Sequence, residues 1–320
     1  MNSKEIRIIY MGTPDFAVAP LQALVEGGYR VVAVVTMPDK AIGRGMKIQS
    51  SPVKQYALSQ GLPVLQPEKL KDEAFLEALR SYQADLQIVV AFRMLPEVVW
   101  NMPPMGTFNL HASLLPQYRG AAPIHWAVIN GDKQTGVTTF LLQHEIDTGN
   151  ILLRESIDIA DDECTGSVHD RLMALGSALV PRTVDLLASG NYQALPQSDL
   201  ADEASLRPAP KLFKENTRIE WTGKAQDIYN FVRGLHPFPS AWCPISIDGV
   251  ESTMKVQSVS IELKSHDEPC GSVKTDGKKF VSIAVADGYV SLRQIQLAGK
   301  KSMSVGDWLR GFHHSPEIIL

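Results

Sequence analysis

Cysteine is scarce in this chain of 320 residues, which has only Cys164, Cys243 and Cys270. Three scattered thiols make neither a disulfide framework nor a metal-type C-x-x-C pair, so a reducing compartment, the cytoplasm, is expected. Long apolar runs are also missing. Stretches such as Val31 to Val35 are far too short to cross a bilayer, and no membrane partner is expected. The opening M-N-S-K-E-I-R-I-I-Y has no long apolar segment with a small-residue cleavage site, so it does not read as a secretory signal. Several catalytic signatures are absent. The sequence has no G-x-x-x-x-G-K-[ST] phosphate loop, no G-x-S-x-G elbow and no second His to complete a zinc-protease helix after His144-Glu145. Gly43 to Ile48 is too short for a dinucleotide fingerprint. A single D-T-G, at Asp147 to Gly149, lacks the second carboxylate of an aspartic protease. Internal repeats and low-complexity segments are missing too.

What is present fits a soluble globular protein of two domains: 44% apolar and 21% charged residues over a length beyond one average domain. The net charge of −4 argues against a general nucleic-acid binder. Its distribution is uneven. From Ala209 onward there are 14 Lys and Arg against 12 Asp and Glu, while the remainder has 17 against 23. An acidic body with a mildly basic tail is compatible with contacting a polyanion.

Strand-like runs at Ile6–Tyr10, Val31–Val35, Leu86–Phe92 and Gly106–His111 alternate with helical patterns. Asp15 reads as the N-cap of a helix reaching Val25, and Ser51-Pro52 as the start of one ending near Gln60. Ala74–Tyr82, Ile124–Asn130 and Thr165–Ala188 have helical periods. Val137–Leu142 and Ile151–Ile159 read as neighbouring strands. This alternation predicts an α/β fold, a Rossmann-like doubly wound and mostly parallel sheet, over residues 1–190. Residues 191–210 are polar and contain prolines, and read as a linker. Beyond them, a helix at Ala225–Arg233 precedes short alternating runs at Trp242–Ile247, Lys255–Ile261, Phe280–Val285 and Tyr289–Leu297. Residues 211–320 therefore read as a small β-barrel domain.

The stretch N-L-H-A-S-L-L-P-Q-Y-R-G-A-A-P, Asn109 to Pro123, stands out. Asn109 and His111 project from one face of a strand, at the carboxyl end where open α/β sheets bind ligands. H-E-I-D-T-G, His144 to Gly149, places Asp147 at another strand's carboxyl end. Taken singly, each polar residue also fits a turn that satisfies nearby backbone groups. Together they make a coherent chemistry. An amide N–H can stabilise an oxyanion, an imidazole exchanges protons near neutrality, and a carboxylate orients the ring. No Ser or Cys nucleophile is needed if the substrate brings its own, for instance an amine.

N-x-H-x-S-L-L-P-x-Y-R-G-x-x-P followed by D-T-G resembles the signature of folate-dependent formyltransferases. I-I-Y-M-G-T-P-D-F-A, T-M-P-D-K-A-I-G-R-G-M-K, I-E-W (Ile219 to Trp221) and R-G-L-H-P-F-P-S-A-W (Arg233 to Trp242) extend the resemblance over nearly the whole chain. It implies a Rossmann-like domain joined to an OB-like barrel. It also implies transfer of the formyl group of 10-formyltetrahydrofolate to the amino group of methionyl-initiator tRNA, with no metal. It carries over Asn109, His111 and Asp147 as catalytic residues and Ser113, Leu114, Leu115 and Pro116 as a folate-binding segment. His111 then acts as a proton relay or as an electrostatic stabiliser.

Read in that light, the loop Met37–Ser50 carries Lys40, Arg44 and Lys47 toward the acceptor end of tRNA, and Lys211, Lys214 and Arg218 extend the track. The working form expected is a monomer. Two departures from the family pattern stand out. Val89 to Pro96 reads V-V-A-F-R-M-L-P where V-V-A-Y-G-x-x-L-P is usual, with Arg93 near the usual Gly. Gln143 to Asp147 replaces the usual D-x-G-x-D. Formyl transfer to a small amine and a non-catalytic RNA-binding module are the alternatives. The basic loop and the second domain weigh against the first, and the intact Asn–His–Asp set against the second.

Overall fold

The computed structural model describes residues 1–42 and 47–320. Strands and helices alternate from the start: β1 (Ile8–Gly12), α1 (Val18–Glu26), β2 (Val31–Val35), the short pair β3 (Lys40–Ile42) and β4 (Lys47–Gln49), and α2 (Pro52–Ser59). They continue with β5 (Val64–Leu65), α3 (Glu73–Ser81), β6 (Leu86–Val90), α4 (Glu97–Trp100), β7 (Thr107–His111) and α5 (Pro123–Ile129). Next come β8 (Gln134–Leu141), β9 (Ile151–Asp158), α6 (Thr165–Ser189) and α7 (Ala225–Leu235). The last part holds β10 (Ala241–Ile247), β11 (Val250–Leu263), β12 (Val273–Thr275), β13 (Val281–Val285), β14 (Gly288–Leu297), β15 (Met303–Ser304), α8 (Val305–Leu309) and β16 (Ile318–Ile319). These elements form two compact units. One is Met1–Gly120, Thr135–Ile157 and His169–Pro208; the other is Ala121–Gln134, Asp158–Val168 and Ala209–Leu320.

The first unit is the α/β sheet that the alternation predicts, in the order β5-β2-β1-β6-β7-β8-β9. It is parallel from β5 to β7, and β8 runs antiparallel to β7. Strand order reverses at β1, with β2 on one side and β6 on the other, so the carboxyl ends of the central strands open onto a crevice. β1 and β6 are buried throughout, as expected of strands covered on both faces. On one face, Ile9, Met11 and Val89 pack against Phe75, Leu76 and Leu79 of α3. Burying each such side chain contributes about 1.5–3 kcal/mol. Asp72 caps α3, accepting from Phe75 N at 3.3 Å, and Ser51 caps α2, accepting from Lys54 N at 3.1 Å.

Helix α6 is the one described helix long and apolar enough to cross a membrane by length and composition. Its Leu172, Leu179, Val180, Val184 and Leu187 are buried, the spacing of a helix packed along one stripe.

Three local expectations differ from what is seen. Asp15 does not cap the first helix. It opens a 3-10 turn, Asp15–Ala17, with extended Pro14 in the cap position and Ala17 N donating to Pro14 O at 3.0 Å. The ends of the Met37–Ser50 loop pair as the antiparallel hairpin β3–β4. The 191–210 stretch is built into the first unit up to Pro208, bridging from Leu195 to Ile151.

The second unit is an antiparallel sheet of the near-barrel, OB-like kind, in the order β12-β13-β14-β11-β10-β16 with β15 beside β14. β11 is 14 residues long and shifts register between Val256 and Val259, which lets it pair with β10 at one end and with β14 over most of its length. Ile228, Val232 and Leu235 of α7 fill its core with Val256, Ile283 and Ile295. In the same unit the Arg233 side chain is buried, donating to Glu163 O at 2.7 Å and to Asn230 Oδ1 at 2.9 Å.

Candidate active site

β7 is the strand that presents the polar constellation. Leu110 faces α6, where a methyl group at Gly176 would lie 2.7 Å from Leu110 Cδ2. Asn109 and His111 alternate with Leu110 and so project from the opposite face, where Asn109 pairs in register with Val89 of β6.

The His111 ring is 6% exposed. Its Nε2 lies 2.8 Å from the Tyr118 carbonyl oxygen. A carbonyl only accepts, so Nε2 carries a hydrogen and Nδ1 is the nitrogen left to exchange protons. Nδ1 faces Asp147 Oδ2 at 3.9 Å, too long for a hydrogen bond but close enough for the carboxylate's charge to act on the ring.

The turn after β7 is fixed from below. Ser113 Oγ donates to Gln117 O at 2.7 Å. Thr138 Oγ1 of β8 donates to Ser113 O at 2.7 Å and accepts from Leu115 N at 3.2 Å, and Arg154 of β9 donates to Leu115 O at 3.0 Å. Ser113, Leu115 and Pro116 are buried, and Leu115 packs with Phe140 and Ile151. Leu114 is the half-buried member of the segment. Ser113 to Pro116 is thus a stiff wall.

Asp147 sits in the left-handed region, at φ 55°. Its Oδ2 accepts from Gly120 N at 3.0 Å. Gln197 Nε2 donates to the Asp147 carbonyl at 2.8 Å and the Gly149 carbonyl at 2.9 Å. At Gly149 a Cβ would stand 1.7 Å from Leu141 O, so only glycine lets this turn close against β8.

Asn109 contributes an open amide. Its Oδ1 is buried without a hydrogen-bond partner among the described residues. Such a group costs about 1–3 kcal/mol when left unpaired, and it fits a place where a ligand supplies the partner.

The structure sets His111 opposite Asp147 and leaves Asn109 on the same face of β7 as His111; the supports of these residues are what the sequence reading misses. Gln197 left no local signal, and Arg119 shows only as the Arg of the Y-R-G in the motif after β7, with no role assigned. Thr13, whose Oγ1 is also buried and unpaired, does leave one: a polar residue just past β1, at the point where strand order reverses. Arg93 donates to Glu68 O at 2.8 Å and to Pro67 O, and burial pushes its guanidinium below its ordinary value. With Leu70, Met94, Leu95 and Pro96 it lines a cavity of about 320 Å³.

Of the basic residues, Lys40 is exposed at the start of β3, and Lys47 begins β4, opposite Ile42. Arg44 lies outside the described residues. In the second unit Lys214 Nζ sits 4.9 Å over the Trp242 ring and Lys211 Nζ 5.4 Å over Phe213.

Comparison with known proteins gives the chain a family. A family model described as formyl transferase matches residues 4–184, and one described as formyl transferase, C-terminal domain, matches residues 211–313. A relative from Parabacteroides distasonis named methionyl-tRNA formyltransferase is 60% identical, covering 100% of both chains. One of the same name from Bacteroides thetaiotaomicron is 58% identical, covering 98% of each. Among solved structures, an N-formyltransferase from Helicobacter canadensis in complex with folinic acid and dTDP-3-aminofucose aligns with a TM-score of 0.66. It is 18% identical and covers 91% of this chain and 100% of that one. HypX from Aquifex aeolicus in complex with tetrahydrofolic acid aligns with a TM-score of 0.63 at 18% identity, over 95% of this chain and 47% of that one. At such identities the likeness speaks for the fold.

Proposed function

This chain belongs to the formyl transferase family, and from that premise we propose that it transfers the formyl group of 10-formyltetrahydrofolate to the α-amino group of methionyl-initiator tRNA. The observation that carries the chemistry is the approach of His111 Nδ1 to Asp147 Oδ2 at 3.9 Å, with Asn109 on the same face of β7 as His111.

The neutral amine attacks the formyl carbon. The carbonyl oxygen becomes an oxyanion and accepts a hydrogen bond from the Asn109 amide. The amine's proton passes to His111 Nδ1, and the imidazolium so formed is stabilised by Asp147. The same nitrogen returns a proton, through water, to N10 of the folate as the C–N bond breaks. One proton leaves the amine and one reaches N10, so His111 ends as it began. Ser113 to Pro116 forms the wall of the folate site, with Leu114 as its contact side chain.

Residues 1–190 carry the reacting groups, with 191–208 packed into the same unit, and 211–320 hold tRNA. Lys40, Arg44 and Lys47 contact the acceptor end, where phosphate contacts give affinity and salt dependence. The proposed working form is a cytoplasmic monomer: size exclusion with light scattering should give the mass of one chain, and twice that mass would overturn the monomer.

The test is incubation with 10-formyltetrahydrofolate and charged initiator tRNA, with formylmethionine as the readout. Product confirms the assignment. No product there, with turnover on an amino-sugar nucleotide, replaces it with formyl transfer to a small amine.

A further inference from the structure

Gln197 lies in the stretch that composition marks as a linker, yet it is only 3% exposed. A glutamine side chain is seldom so buried, and this one has all its supports in place. Its Nε2 donates to the carbonyls of Asp147 and Gly149, 50 and 48 residues away. Its Oε1 accepts from Arg119 Nε at 3.0 Å and Nη2 at 2.8 Å, 78 residues away. Arg119 in turn is next to Gly120, whose N–H binds the Asp147 carboxylate, and one residue past Tyr118, whose carbonyl holds His111. One side chain therefore joins the turn that orients the imidazole to the turn that carries the carboxylate.

We propose that Gln197 is a positioning residue for formyl transfer. By clamping the backbone on both sides of Thr148 and tying it to Arg119, it fixes the Asp147 carboxylate opposite His111 Nδ1. This rests on the formyl-transfer reading above. The Asp147 backbone is in a sparsely populated conformation at φ 55°, which the surrounding contacts must hold. Without the clamp the turn relaxes and the carboxylate swings. The amide dipole is used in both directions, so neither a pure donor nor a pure acceptor replaces it. Glutamate at 197 keeps the contact to Arg119 but sets a carboxylate against two carbonyl oxygens.

The test uses Gln197→Met, which keeps the volume and removes the hydrogen bonds, and Gln197→Glu, which keeps the size and the Arg119 partner should the first variant fold poorly. Formylation of charged initiator tRNA is followed in single-turnover experiments with enzyme in excess. Both variants should lower the rate by about 10- to 100-fold, the scale of a misplaced catalytic group. The KM for either substrate and the affinity for folinic acid should stay within about threefold, because Gln197 touches neither site directly. In an Asp147→Asn background, either Gln197 variant should cost less than about threefold more, because its effect passes through that carboxylate. A rate within twofold of the parent in both variants overturns the proposal. So does a full, multiplicative loss on top of Asp147→Asn, which would mark Gln197 as a general structural support. If the parent enzyme forms no formylmethionine, formyl transfer to tRNA fails instead, and that outcome is read before any variant is compared.

Discussion

Replacing Asp147 by Asn removes one charge and little else. The amide keeps an oxygen to accept the Gly120 N–H, now 3.0 Å from Oδ2, and it keeps the side chain's shape. What it loses is the field on the imidazole. The His111 and Asp147 side chains are only 7% and 12% exposed, so solvent screens them poorly. At 3.9 Å and an effective dielectric of about 20, the pair interacts by about 4 kcal/mol. If all of that acts on an imidazolium formed in the transition state, the rate falls about a thousandfold. Solvent reaching the 12% of the Asp147 side chain that is still exposed screens part of that interaction. The expected loss in kcat for Asp147→Asn is therefore about 100- to 1000-fold, with folate KM little changed. The assay is single-turnover formation of formylmethionine on charged initiator tRNA, with the fold checked by circular dichroism. A well-folded variant within about threefold of the parent rate would show that the carboxylate plays no electrostatic part, and the proton relay through His111 would fall with it.

Asn109→Ala should lose about 100- to 1000-fold in kcat, the scale for removing one oxyanion donor, while melting no lower than the parent, because its buried oxygen has no partner to lose. A variant as active as the parent would remove the amide from the reaction. Asp85 tests the pH dependence of stability. The hydrogen bond from Arg7 holds its carboxyl below the usual carboxylate range. A depressed value in the folded state means stability that is present above the unfolded value, about 3.9, and is lost as pH falls through the folded one. Asp85→Asn should thus melt lower than the parent at pH 7, and the gap should close below about pH 4; a gap that is constant with pH would contradict the ion pair. Burial pushes the Cys243 thiol up to about 12. Iodoacetamide at pH 8 should label exposed Cys270 in the native protein and Cys243 only after unfolding, as mass mapping would show.

Much of this architecture is written in local pattern. Ser51-Pro52 starts a helix because a hydroxyl caps and a proline at the first turn gives up no hydrogen bond. Leu86 to Val90 is a buried strand because the continuous apolar run has no alternation to spare for solvent. Asn109 and His111 were legible because a strand's period of two places them on one face. The hidden parts share a cause: they depend on partners far off in sequence or on backbone angles. β3 and β4 are three residues each, shorter than any periodicity can show. The register shift between Val256 and Val259 interrupts alternation, so only Lys255 to Ile261 stands out of the 14-residue β11. Gln197 looks like any polar linker residue until the fold brings Arg119 and Asp147 to it. At Asp15, the extended backbone of Pro14 displaces the acidic residue from the capping position.

The three left-handed residues nearest the site follow three adjacent strands: Ala91 after β6 at φ 46°, Tyr118 after β7 at φ 62°, and Asp147 after β8 at φ 55°. A side chain there costs about 1 kcal/mol or more, which glycine would avoid. The chain accepts that cost where the backbone is then held by named bonds. Tyr118 N donates to Arg207 O at 2.8 Å while its carbonyl receives His111 Nε2, and the Asp147 carbonyl receives Gln197. Each of these two residues therefore has a backbone group turned toward a partner that an ordinary turn conformation would not reach. At Tyr118 the left-handed turn aims a carbonyl at the imidazole and so selects which ring nitrogen is free. At Asp147 it aims a carboxylate at that free nitrogen. The strain and the chemistry are two descriptions of the same pair of turns, and this is why the Asn–His–Asp set needs side chains from positions 119, 138, 154 and 197 to stay assembled.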